Sequence, residues 1–424
     1  MAAQTLSFAG EVLIKEVTIV TTKGFIQNIT NQVAGVQVYE DIFQPFLSGV
    51  IYVKEYHDFV NLFPLVGEEI VRIELQTPSL DDEYTFKGEF YIWKMNNRFK
   101  SNQKELGYAL HFVSKEAVVD INKKISKTFS GKISDTVKTL VTSDIGLESK
   151  KTLNVEDSIN STKHISNFWA PTKNIEYLAK QAINANKSPT FLFFETQFGL
   201  NFVSLESLIK LPTFQNFVQD NYSADFPTAD GGSFKNPEDD YHKILDMATP
   251  ETFDYMKRIK SGLYASRIQY YDVVSKKYTD RTYIASDHAD KQTHLNKYTI
   301  ATGTTPAKPN ALIIKDHKYY ANFNGYGDVT NVRTLQERLS LLDQINAFKL
   351  EITVFGRFDY CVGQVIEIRV FKNTQLIESD DPEQQVDEMY SGKYLVSALT
   401  HNVDREKHEI TMEIIKDSFI RELK

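Results

Sequence analysis

Alternation of apolar and polar residues is clearest in the C-terminal part of the chain. Between Phe348 and Val354 every second residue is apolar, and the residues between them are Lys, Glu and Thr. A period of two places the apolar side chains on one face of a β-strand and the polar ones on the other. Similar runs follow at 366–370, 394–399 and 410–414, and the polar stretch 401–408 is typical of a hairpin tip. The pattern predicts four antiparallel strands in a small sheet or barrel.

A helix is predicted just ahead of these strands. Its apolar residues recur at steps of three and four, and they are Val332, Leu335, Leu339 and Leu342. Thr330 or Asn331 is placed to cap its N-terminus. We expect the leucine stripe to be the buried face and to cover a sheet.

The N-terminal part of the chain repeats the period of two in short segments separated by Gly, Pro and Asn. Short strands at regular spacing with turn residues between them are typical of an antiparallel barrel or sandwich. The predicted strands are 12–20, 25–29, 33–39, 49–53, 70–75, 86–93 and 108–113.

From about Lys115 the period changes to that of helices, and a small α/β module is predicted. Its elements are helices at 133–141 (with Ser134 as a candidate cap) and 174–184, and strands at 190–195 and 200–205 around a turn at 197–199. Beyond the module, the pattern predicts two strands, at 264–271 and 277–284. The other segments are predicted to connect elements: a polar, acidic connector at 212–240, a connecting stretch at 252–260, a long loop or extended subdomain at 286–329, and an acidic insertion at 374–392.

Length, charge and cysteine content narrow the class of protein. A chain of 424 residues suggests two to four domains, and 28 Phe and 22 Tyr suit β-rich cores and interfaces. A net charge of −8 argues against a general nucleic-acid binder. A single cysteine, Cys361, excludes an internal disulfide and a multi-cysteine zinc site, and indicates folding in a reducing cytoplasm.

Two kinds of targeting segment are not expected from the sequence. Glu11, Lys15 and Glu16 interrupt any apolar run near the N-terminus, which argues against a signal peptide. No stretch of eighteen apolar residues occurs in the sequence, so we expect no membrane insertion.

The sequence shows no spacing that points to catalysis, a cofactor or a metal. Its nine histidines have no metal-ligand spacing, and it has no nucleophile elbow, P-loop or dinucleotide fingerprint. Cys361 stands in an apolar strand start, which favours a buried, inert thiol. The acidic stretches lack the ligand pattern of a calcium loop and are interpreted as solvated, although a carboxylate pair for glycoside hydrolysis stays open. We therefore assign no catalytic, cofactor-binding or metal-binding residue.

A lysine-rich stretch runs from residue 115 to residue 132. Its lysines include Lys123, Lys124, Lys127 and Lys132, interleaved with Ile121, Ile125 and Phe129. This interleaving favours a solvated helix or loop face over a nucleic-acid patch.

Four stretches combine strands with turn residues in motifs that follow one another along the chain. Residues 40–75 hold a P-x-x-S-G turn (Pro45, Ser48, Gly49) and an N-L-x-P-L-x-G-E-E loop that contains Gly67. Residues 174–208 hold a helix and then an FLFFET…G-x-x-F-x-S-L hairpin, and 256–283 and the C-terminal strands follow. In this order the stretches resemble the baseplate hub proteins of contractile-tailed bacteriophages, which are related to the hub part of type VI secretion spikes. The resemblance covers most of the chain but not 286–330 or 374–392.

The resemblance implies an α+β, predominantly β fold with two tube-type antiparallel β-barrel domains and an inserted α/β accessory domain. Mapped onto this sequence, the first tube domain is 1–118, the accessory domain is 119–249 with 286–334, and the discontinuous second tube domain is 250–285 with 335–424. Three copies are expected to form a ring with pseudo-sixfold inner symmetry. Gly49, Gly67, Gly356 and Gly363 are interpreted as structural turn positions.

The function implied is structural and non-enzymatic: a homotrimeric baseplate hub that adapts the sixfold tail tube to the threefold central spike. The expected partners are the spike protein, which can itself carry a lysozyme, the tail tube protein and wedge or other hub components, with DNA passing through the lumen without specific binding. The expected location is the virion tail baseplate, assembled in the host bacterial cytoplasm. Two alternatives stay open, namely a hub of a phage-derived contractile injection or secretion device, and a tail-associated peptidoglycan glycosidase.

Overall fold

A computed structural model describes the fold for most of the chain. The residues described are 8–55, 65–78, 80, 84–102, 105–219, 237–251, 254–272, 276–302, 311–315, 330–372 and 386–422. Three segments with predicted features lie outside the described residues. They are 56–64, where the N-L-x-P-L-x-G-E-E loop begins, and 220–236 and 373–385, which hold most of the two acidic stretches. Among the described residues, no helix is long and apolar enough to cross a membrane.

The predicted N-terminal strands form one curled antiparallel sheet. Its strands are β1 (Leu13–Val20), β2 (Ile26–Asn28), β3 (Val33–Asp41), β4 (Ser48–Glu55), β5 (Ile70–Gln76), β6 (Phe86–Asn102) and β7 (Glu105–Ser114), in the spatial order β2-β1-β5-β6-β7-β4-β3. One face of the sheet is apolar, and Val17, Val38 and Phe112 are fully buried in a single cluster there. We call these seven strands the N-terminal sheet.

An α/β unit follows the N-terminal sheet, as the change of period predicts. It comprises α1 (Lys115–Asn122), β8 (Thr128–Lys132), α2 (Ile133–Thr142), β9 (Leu153–Val155), β10 (Ser161–Ile165), α3 (Pro171–Ala179), β11 (Phe191–Thr196), β12 (Gly199–Ser204) and α4 (Leu205–Ile209). Strands β8 and β10 form a ribbon, and β9, β12 and β11 form a second small sheet. Ser134 lies inside α2, which is capped at Lys132 without a side-chain hydrogen bond, so the prediction of a Ser134 cap is wrong.

The stretch predicted as an acidic connector contains one strand, and a second strand follows it. Thr213–Gln219 forms β13 and Lys243–Glu251 forms β14, and the two pair in parallel. The connector prediction for 212–240 is therefore wrong at Thr213–Gln219, whereas β14 follows the predicted connector and was not predicted as a strand. In β13 only Phe217 is fully buried, so the segment lacks the strong alternation by which strands are recognised.

Between β14 and the C-terminal strands lies a second small α/β layer. It contains α5 (Tyr255–Ser261), β15 (Ala265–Asp272), β16 (Lys277–Ile284), β17 (Tyr298–Thr299), β18 (Ala311–Lys315) and α6 (Thr330–Ile345), with 3-10 turns at Ala285–Asp287, Ala289–Lys291 and Ile300–Thr302. Strand β15 pairs with β16 and β18 in a separate sheet. The predicted strands at 264–271 and 277–284 are confirmed, whereas the predicted connecting stretch contains helix α5 from Tyr255 onward.

The four predicted C-terminal strands complete a closed barrel. They are β19 (Phe348–Phe355), β20 (Val365–Arg369), β21 (Gly392–Asp404) and β22 (His408–Lys416), followed by the short β23 (Ser418–Phe419). Together with β13 and β14 they close a ring in the order β21-β20-β13-β14-β19-β22, because β22 pairs again with β21. The core of this C-terminal barrel is continuous with apolar residues of β11, β12 and α4, such as Phe194, Val203 and Leu208.

Helix α6 buries a set of polar side chains in addition to part of the predicted leucine stripe. The buried polar side chains, each exposed by 8% or less, are Thr334, Gln336, Arg338, Ser340 and Gln344, and the apolar Ile345 is buried beside them. Leu342 packs against the barrel core, but Leu339 is 40% exposed, so the predicted stripe is wrong at that residue. Gln336 donates to the carbonyl of Ser266 at 3.0 Å, and Ser340 donates to that of Leu263 at 2.6 Å. The helix lies against backbone carbonyls that need donors, which explains its polar face.

Arg338 joins α6 to the α/β unit through three backbone carbonyls. Its guanidinium donates to Ala179 O at 3.2 Å, Pro189 O at 2.7 Å and Phe191 O at 3.0 Å. Burial lowers the pKa of Arg338 to about 10. The planar fork of a guanidinium can serve several acceptors at once, which a lysine cannot do with the same geometry.

The predominantly β fold predicted from the sequence is confirmed. The division into two tube domains with an inserted accessory domain and the trimeric ring stay predictions. The strand assignment differs from the predicted boundaries, because β13 and β14 lie in the barrel and β15 and β16 lie in a separate sheet.

Candidate functional site: the junction of sheet, barrel and α/β unit

Strand β21 belongs to both the N-terminal sheet and the C-terminal barrel. Along one edge its first residues, Gly392 to Leu395, pair with β20, and its later residues, Ala398 to Asp404, pair with β3. Along the other edge it pairs with β22 almost throughout. The change of partner makes one continuous hydrogen-bonded structure out of the sheet and the barrel.

The change of partner falls at Ser397, where the strand is irregular. The ladder with β22 shifts register between Val396 and Ala398. Ile42 N–H donates to Ser397 O at 2.9 Å on the β3 side, and Gly363 N–H donates to Val396 O at 2.9 Å on the barrel side. The Ser397 hydroxyl is fully buried and donates to Glu413. A bulge bends a strand and increases its twist, which lets it leave one partner for another.

Glu40 brings a third segment to this junction. Its Oε1 accepts the backbone N–H of Gln197 at 2.7 Å, and its Oε2 accepts the backbone N–H of Val362 at 3.1 Å. Glu40 is 2% exposed. Burial raises the pKa of Glu40 to about 8, although the two backbone hydrogen bonds favour the ionised form. One carboxyl group therefore joins β3, the β11–β12 turn and the turn before β20.

Gln197 extends the same contact with its side chain. Its Nε2 donates to Phe358 O at 2.5 Å and to Tyr360 O at 3.3 Å. The β11–β12 turn thus contacts the barrel through side-chain and backbone groups, and it contacts the N-terminal sheet through Glu40. The turn at 197–199 was predicted from sequence, but its role as a junction was not.

A buried ion-pair network lies on the α/β side of the junction. Lys151 Nζ donates to Glu116 at 2.7 Å and to Glu195 at 2.5 Å. Glu195 also accepts the backbone N–H of Leu47 from the N-terminal sheet at 3.0 Å. Burial raises the pKa of Glu195, and the Lys151 charge opposes that rise. The network ties the start of β4 to the α/β unit.

Two histidines fill the junction on the barrel side. His401 Nδ1 and His408 Nε2 are 2.9 Å apart, and the Phe358 ring stacks on His408 with centroids 4.4 Å apart. Both imidazoles are fully buried. Burial lowers the pKa of His401 to about 3, so the pair is uncharged near neutral pH. His408 also accepts through its carbonyl from Gly356 and donates its backbone N–H to Gly10 O.

A lysine lies in an aromatic cage at the other end of the barrel. Lys416 is fully buried, and its Nζ lies 4.7, 4.5 and 4.8 Å from the ring centroids of Phe348, Tyr394 and Phe419. The ammonium donates to Met389 O at 2.6 Å and to Ser391 O at 3.2 Å. Burial lowers the pKa of Lys416 to about 7, and the charge of Asp387 opposes this. Rings and carbonyls rather than a carboxylate surround the amine.

The four predicted turn glycines occupy different environments. Gly67 and Gly363 have φ of +93° and +84°, a conformation that favours glycine. Gly356 follows β19, and a Cβ there would overlap the His408 ring. Gly49 is the second residue of β4 rather than a turn residue, and a Cβ there would overlap the Phe112 ring and the Gln37 carbonyl. Close packing of the strands is what requires glycine at Gly49.

The contacts at the junction join parts of the molecule to one another. Among the described residues, no group of three or more His, Cys, Asp or Glu side chains could hold a metal ion. Burial raises the pKa of the Cys361 thiol well above its usual value, which disfavours the reactive thiolate. What the arrangement does is fix the relative position of sheet, barrel and α/β unit.

The residues of the junction were not found from sequence, but one of them left a signal. In β3 the buried positions alternate through Val36 and Val38, and the next position of that face is Glu40. A charged residue on the apolar face of a strand predicts a buried polar contact. Gln197 left no such signal, because turns commonly carry polar residues.

Comparison with known proteins shows which solved structures have a similar fold. No protein-family model matches the sequence, and no curated protein matches it. A solved tail protein from Neisseria meningitidis matches with a TM-score of 0.55 and 12% identity, over 95% of this chain and 96% of that chain. The 43 kDa tail protein of prophage MuSo2 from Shewanella oneidensis matches with a TM-score of 0.55 and 9% identity, over 95% and 98%. The chain has the tail-protein fold.

This tail-protein fold confirms the resemblance predicted from sequence at the level of architecture. The match spans nearly the whole length of both chains, so it includes sheet, α/β unit and barrel together. Identities of 12% and 9% establish the fold alone, and residue roles in this chain are therefore argued from its own contacts.

Proposed function

We propose that this protein is the structural baseplate hub of a contractile phage tail. In this role it forms a homotrimeric ring that adapts the sixfold tail tube to the threefold central spike. The observation that supports the proposal most is the tail-protein fold, shared over 95% of the chain with two tail proteins.

The junction gives the proposal a physical basis. A hub carries load between tube and spike, and it needs its parts fixed relative to one another. Strand β21 is shared by sheet and barrel, and Glu40 and Gln197 bond the α/β unit to both. Closing three copies into a ring also uses strand edges that would otherwise be exposed.

The proposed partners follow from this position in the tail. They are two further copies of the chain, a central spike protein with or without its own lysozyme part, the tail tube protein and wedge or other hub components. The proposed location is the virion tail baseplate, after assembly in the host cytoplasm. The net charge of −8 suits a lumen that DNA passes without binding. A hub of a phage-derived injection device would have the same fold, and neighbouring genes would distinguish the two.

The proposal gives this chain no catalytic role. Zymography on purified peptidoglycan with the chain alone tests this part, and a clear zone of lysis would contradict it. A spike protein that carries a lysozyme serves as the positive control.

Light scattering across a size-exclusion column, over a dilution series, tests the ring. We expect a mass near three times 48.6 kDa, for the chain alone or after addition of the candidate spike. Electron cryomicroscopy of the complex should then show a threefold ring on the spike. A chain that stays monomeric with both spike and tube protein present would contradict the proposal.

A further inference from the structure

One segment of the chain joins the α/β unit to the end of the barrel. Residues 285–302 follow β16 and contain three 3-10 turns and β17, and we call this segment the strap. Thr293 Oγ1 donates to Glu206 of α4 at 3.2 Å. The next residue, His294, has its Nδ1 2.6 Å from Asp417 Oδ2, just beyond β22. Consecutive residues of the strap therefore contact two different parts of the molecule.

The strap is docked on the end of the barrel by backbone amides. Leu295 N–H donates to Asp417 Oδ1 at 3.2 Å, and Ile300 N–H donates to Asp417 O at 3.0 Å. Asn296 N–H donates to Ser418 Oγ at 2.7 Å, and β17 pairs with β23. The Leu295 side chain is buried in the core of the barrel. Exchange of these three amide protons with solvent therefore reports whether the strap is docked.

The His294 ring lies between two hydrogen-bond acceptors. Its Nδ1 faces Asp417 Oδ2 at 2.6 Å, and its Nε2 faces the carbonyl oxygen of Ala289 at 3.1 Å. A carbonyl oxygen and an ionised carboxylate can only accept, so both contacts are hydrogen bonds only when both ring nitrogens carry a proton. The side chains of His294 and Asp417 are 11% and 4% exposed, which limits replacement of either partner by water.

The groups that contact the ring favour its doubly protonated form. Burial opposes a charge on His294, but the hydrogen bond to Asp417 and the charge of that carboxylate outweigh burial and raise the pKa of His294 above its usual 6.5. The Ala289 carbonyl and the charge of Asp290, on the strap itself, act in the same direction. Undocking the strap removes Asp417 from the ring, so the proton is held more tightly in the docked state than in the undocked one.

Other titratable groups lie on the strap and on the elements packed against it. His288 of the strap stacks on the Tyr283 ring, with centroids 4.9 Å apart. Glu337 of α6, Glu206 of α4 and Lys291 of the strap line a cavity beside it. Burial raises the pKa of Glu337. A pH dependence of the strap has to be assigned to His294 against His288 and Glu337 as competing groups.

We propose that His294 is a proton-operated clasp that holds the strap on the end of the barrel. With both nitrogens protonated, the ring bonds Asp417 and Ala289 at once. Loss of one proton leaves a nitrogen lone pair facing one of these two acceptors, which breaks one of the hydrogen bonds. Because the pKa of His294 is raised in the docked strap, the stabilisation is complete below pH 6.5 and is lost as pH rises through the raised value.

Hydrogen exchange of the full-length protein between pH 6 and pH 9 tests the clasp. The clasp is a property of the single chain, so the test does not require the trimer. After correction for the intrinsic exchange rate, the amides of Leu295, Asn296 and Ile300 should lose protection by at least about tenfold over this range. The amides of β19 should lose less, which separates undocking of the strap from a general loss of stability. Equal protection of the strap at pH 6 and pH 9 would overturn the inference.

Three substitutions assign the pH dependence to one group. His294→Gln cannot take up a proton, so protection of the strap should be low and independent of pH, close to that of wild type at pH 9. His288→Gln is the matched control on the same strap, and Glu337→Gln removes the titrating group of α6. Both controls should keep the loss of protection seen in wild type. A loss that persists in His294→Gln, or that disappears in either control, would contradict the clasp.

Asp417→Asn is expected to reverse the sign of the pH dependence. Because Asp417 Oδ1 accepts from Leu295 N–H and from the Ser418 hydroxyl, the introduced amide keeps its oxygen there and turns its NH₂ group towards His294. A neutral ring can then accept at Nδ1 and donate from Nε2 to Ala289, without a second proton. The strap should stay protected up to pH 9 and lose protection towards pH 5. Protection that is lowered equally at every pH would mean that Asp417 has only a structural role, and would overturn the inference.

Discussion

The Glu40 carboxyl accepts a 2.7 Å hydrogen bond from the backbone N–H of Gln197, which lies in the β11–β12 turn of the α/β unit. Its second oxygen accepts from Val362 in the barrel. The same residue lies on β3, directly across the ladder from Leu399 of β21. Three segments that are distant in sequence are thus positioned by one buried side chain at the point where β21 changes partner.

We expect the contribution of Glu40 to the stability of the protein to fall as pH rises. The pKa of Glu40 is about 8 in the fold and near 4.5 when unfolded, so between these values only the folded state holds the proton. Its contribution to the free energy of unfolding should decrease by up to about 1.4 kcal/mol per pH unit across this window. Glu40→Gln cannot titrate and leaves one buried N–H without an acceptor, which costs about 1–3 kcal/mol. Urea denaturation at pH 5, 6, 7 and 8 should show the variant less stable at pH 5 and the difference reversed by pH 8.

The quantity compared is the difference in the free energy of unfolding between wild type and Glu40→Gln at each pH. Taking this difference cancels the contribution of other titrating groups such as Glu195. Parallel curves for wild type and Glu40→Gln would mean that Glu40 is ionised in the fold throughout, and would contradict this prediction.

The contribution of Lys416 to stability has the opposite dependence on pH. Burial lowers the pKa of Lys416 from 10.5 to about 7, so between these values the unfolded state binds the proton and the folded state does not. Its contribution to stability should therefore rise with pH from about 7 to 10.5, by up to about 1.4 kcal/mol per unit. Lys416→Met should lose this rise while keeping an apolar side chain in the aromatic cage. Urea denaturation from pH 6 to pH 10 measures it, and an equal rise in both proteins would show that the amine stays charged in its cage.

Strand alternation made most of the β-structure predictable. Strand β19 buries every second residue from Phe348 to Val354, and β5 and β22 alternate over most of their length. Strand β13 was missed because its residues are mostly half-exposed at the barrel wall. Its pairing is parallel and distant in sequence, and no local pattern reports such a contact.

Long-range polar contacts explain the remaining differences between the sequence predictions and the structure. Helix α6 was predicted with a leucine stripe inward, yet Arg338 and Gln336 face inward because carbonyls of other segments need donors there. Glu40 was visible in principle as a charge on an apolar strand face, but its partners 157 and 322 residues later were not. Sequence periodicity reports which face is buried against apolar atoms, and it carries no information on unpaired backbone groups.

Gly49 tests whether strand packing, rather than a turn, requires glycine. Gly49→Ala places a methyl group against the Phe112 ring and the Gln37 carbonyl, and we expect a loss of at least about 3 kcal/mol in the free energy of unfolding. Gly24→Ala is the matched control, because no atom lies within 4 Å of the added Cβ and only its φ of +81° is unfavourable. That control should lose about 1 kcal/mol. Equal losses in the two variants, measured by urea denaturation, would indicate that the strands can separate to admit the methyl.

Arg338 is expected to be the main polar link between α6 and the α/β unit. Arg338→Met leaves the carbonyls of Ala179, Pro189 and Phe191 without this donor in a buried site, and we expect a loss of about 3–5 kcal/mol. A lysine at this position can donate to only some of the three carbonyls. Arg338→Lys should therefore lower the free energy of unfolding by less than Arg338→Met does.

Hydrogen exchange distinguishes a local link from a general loss of stability. In Arg338→Met, amide protons of β11 and of the last turn of α3 should exchange faster than those of β19, because the missing donor served Phe191 and Ala179. Arg267→Met, which removes an exposed arginine paired with Asp280, should leave exchange in β11 unchanged. If β11 and β19 lose protection equally in Arg338→Met, the three carbonyls are not a local link, and the α/β unit is held to the rest through the Glu40 junction instead.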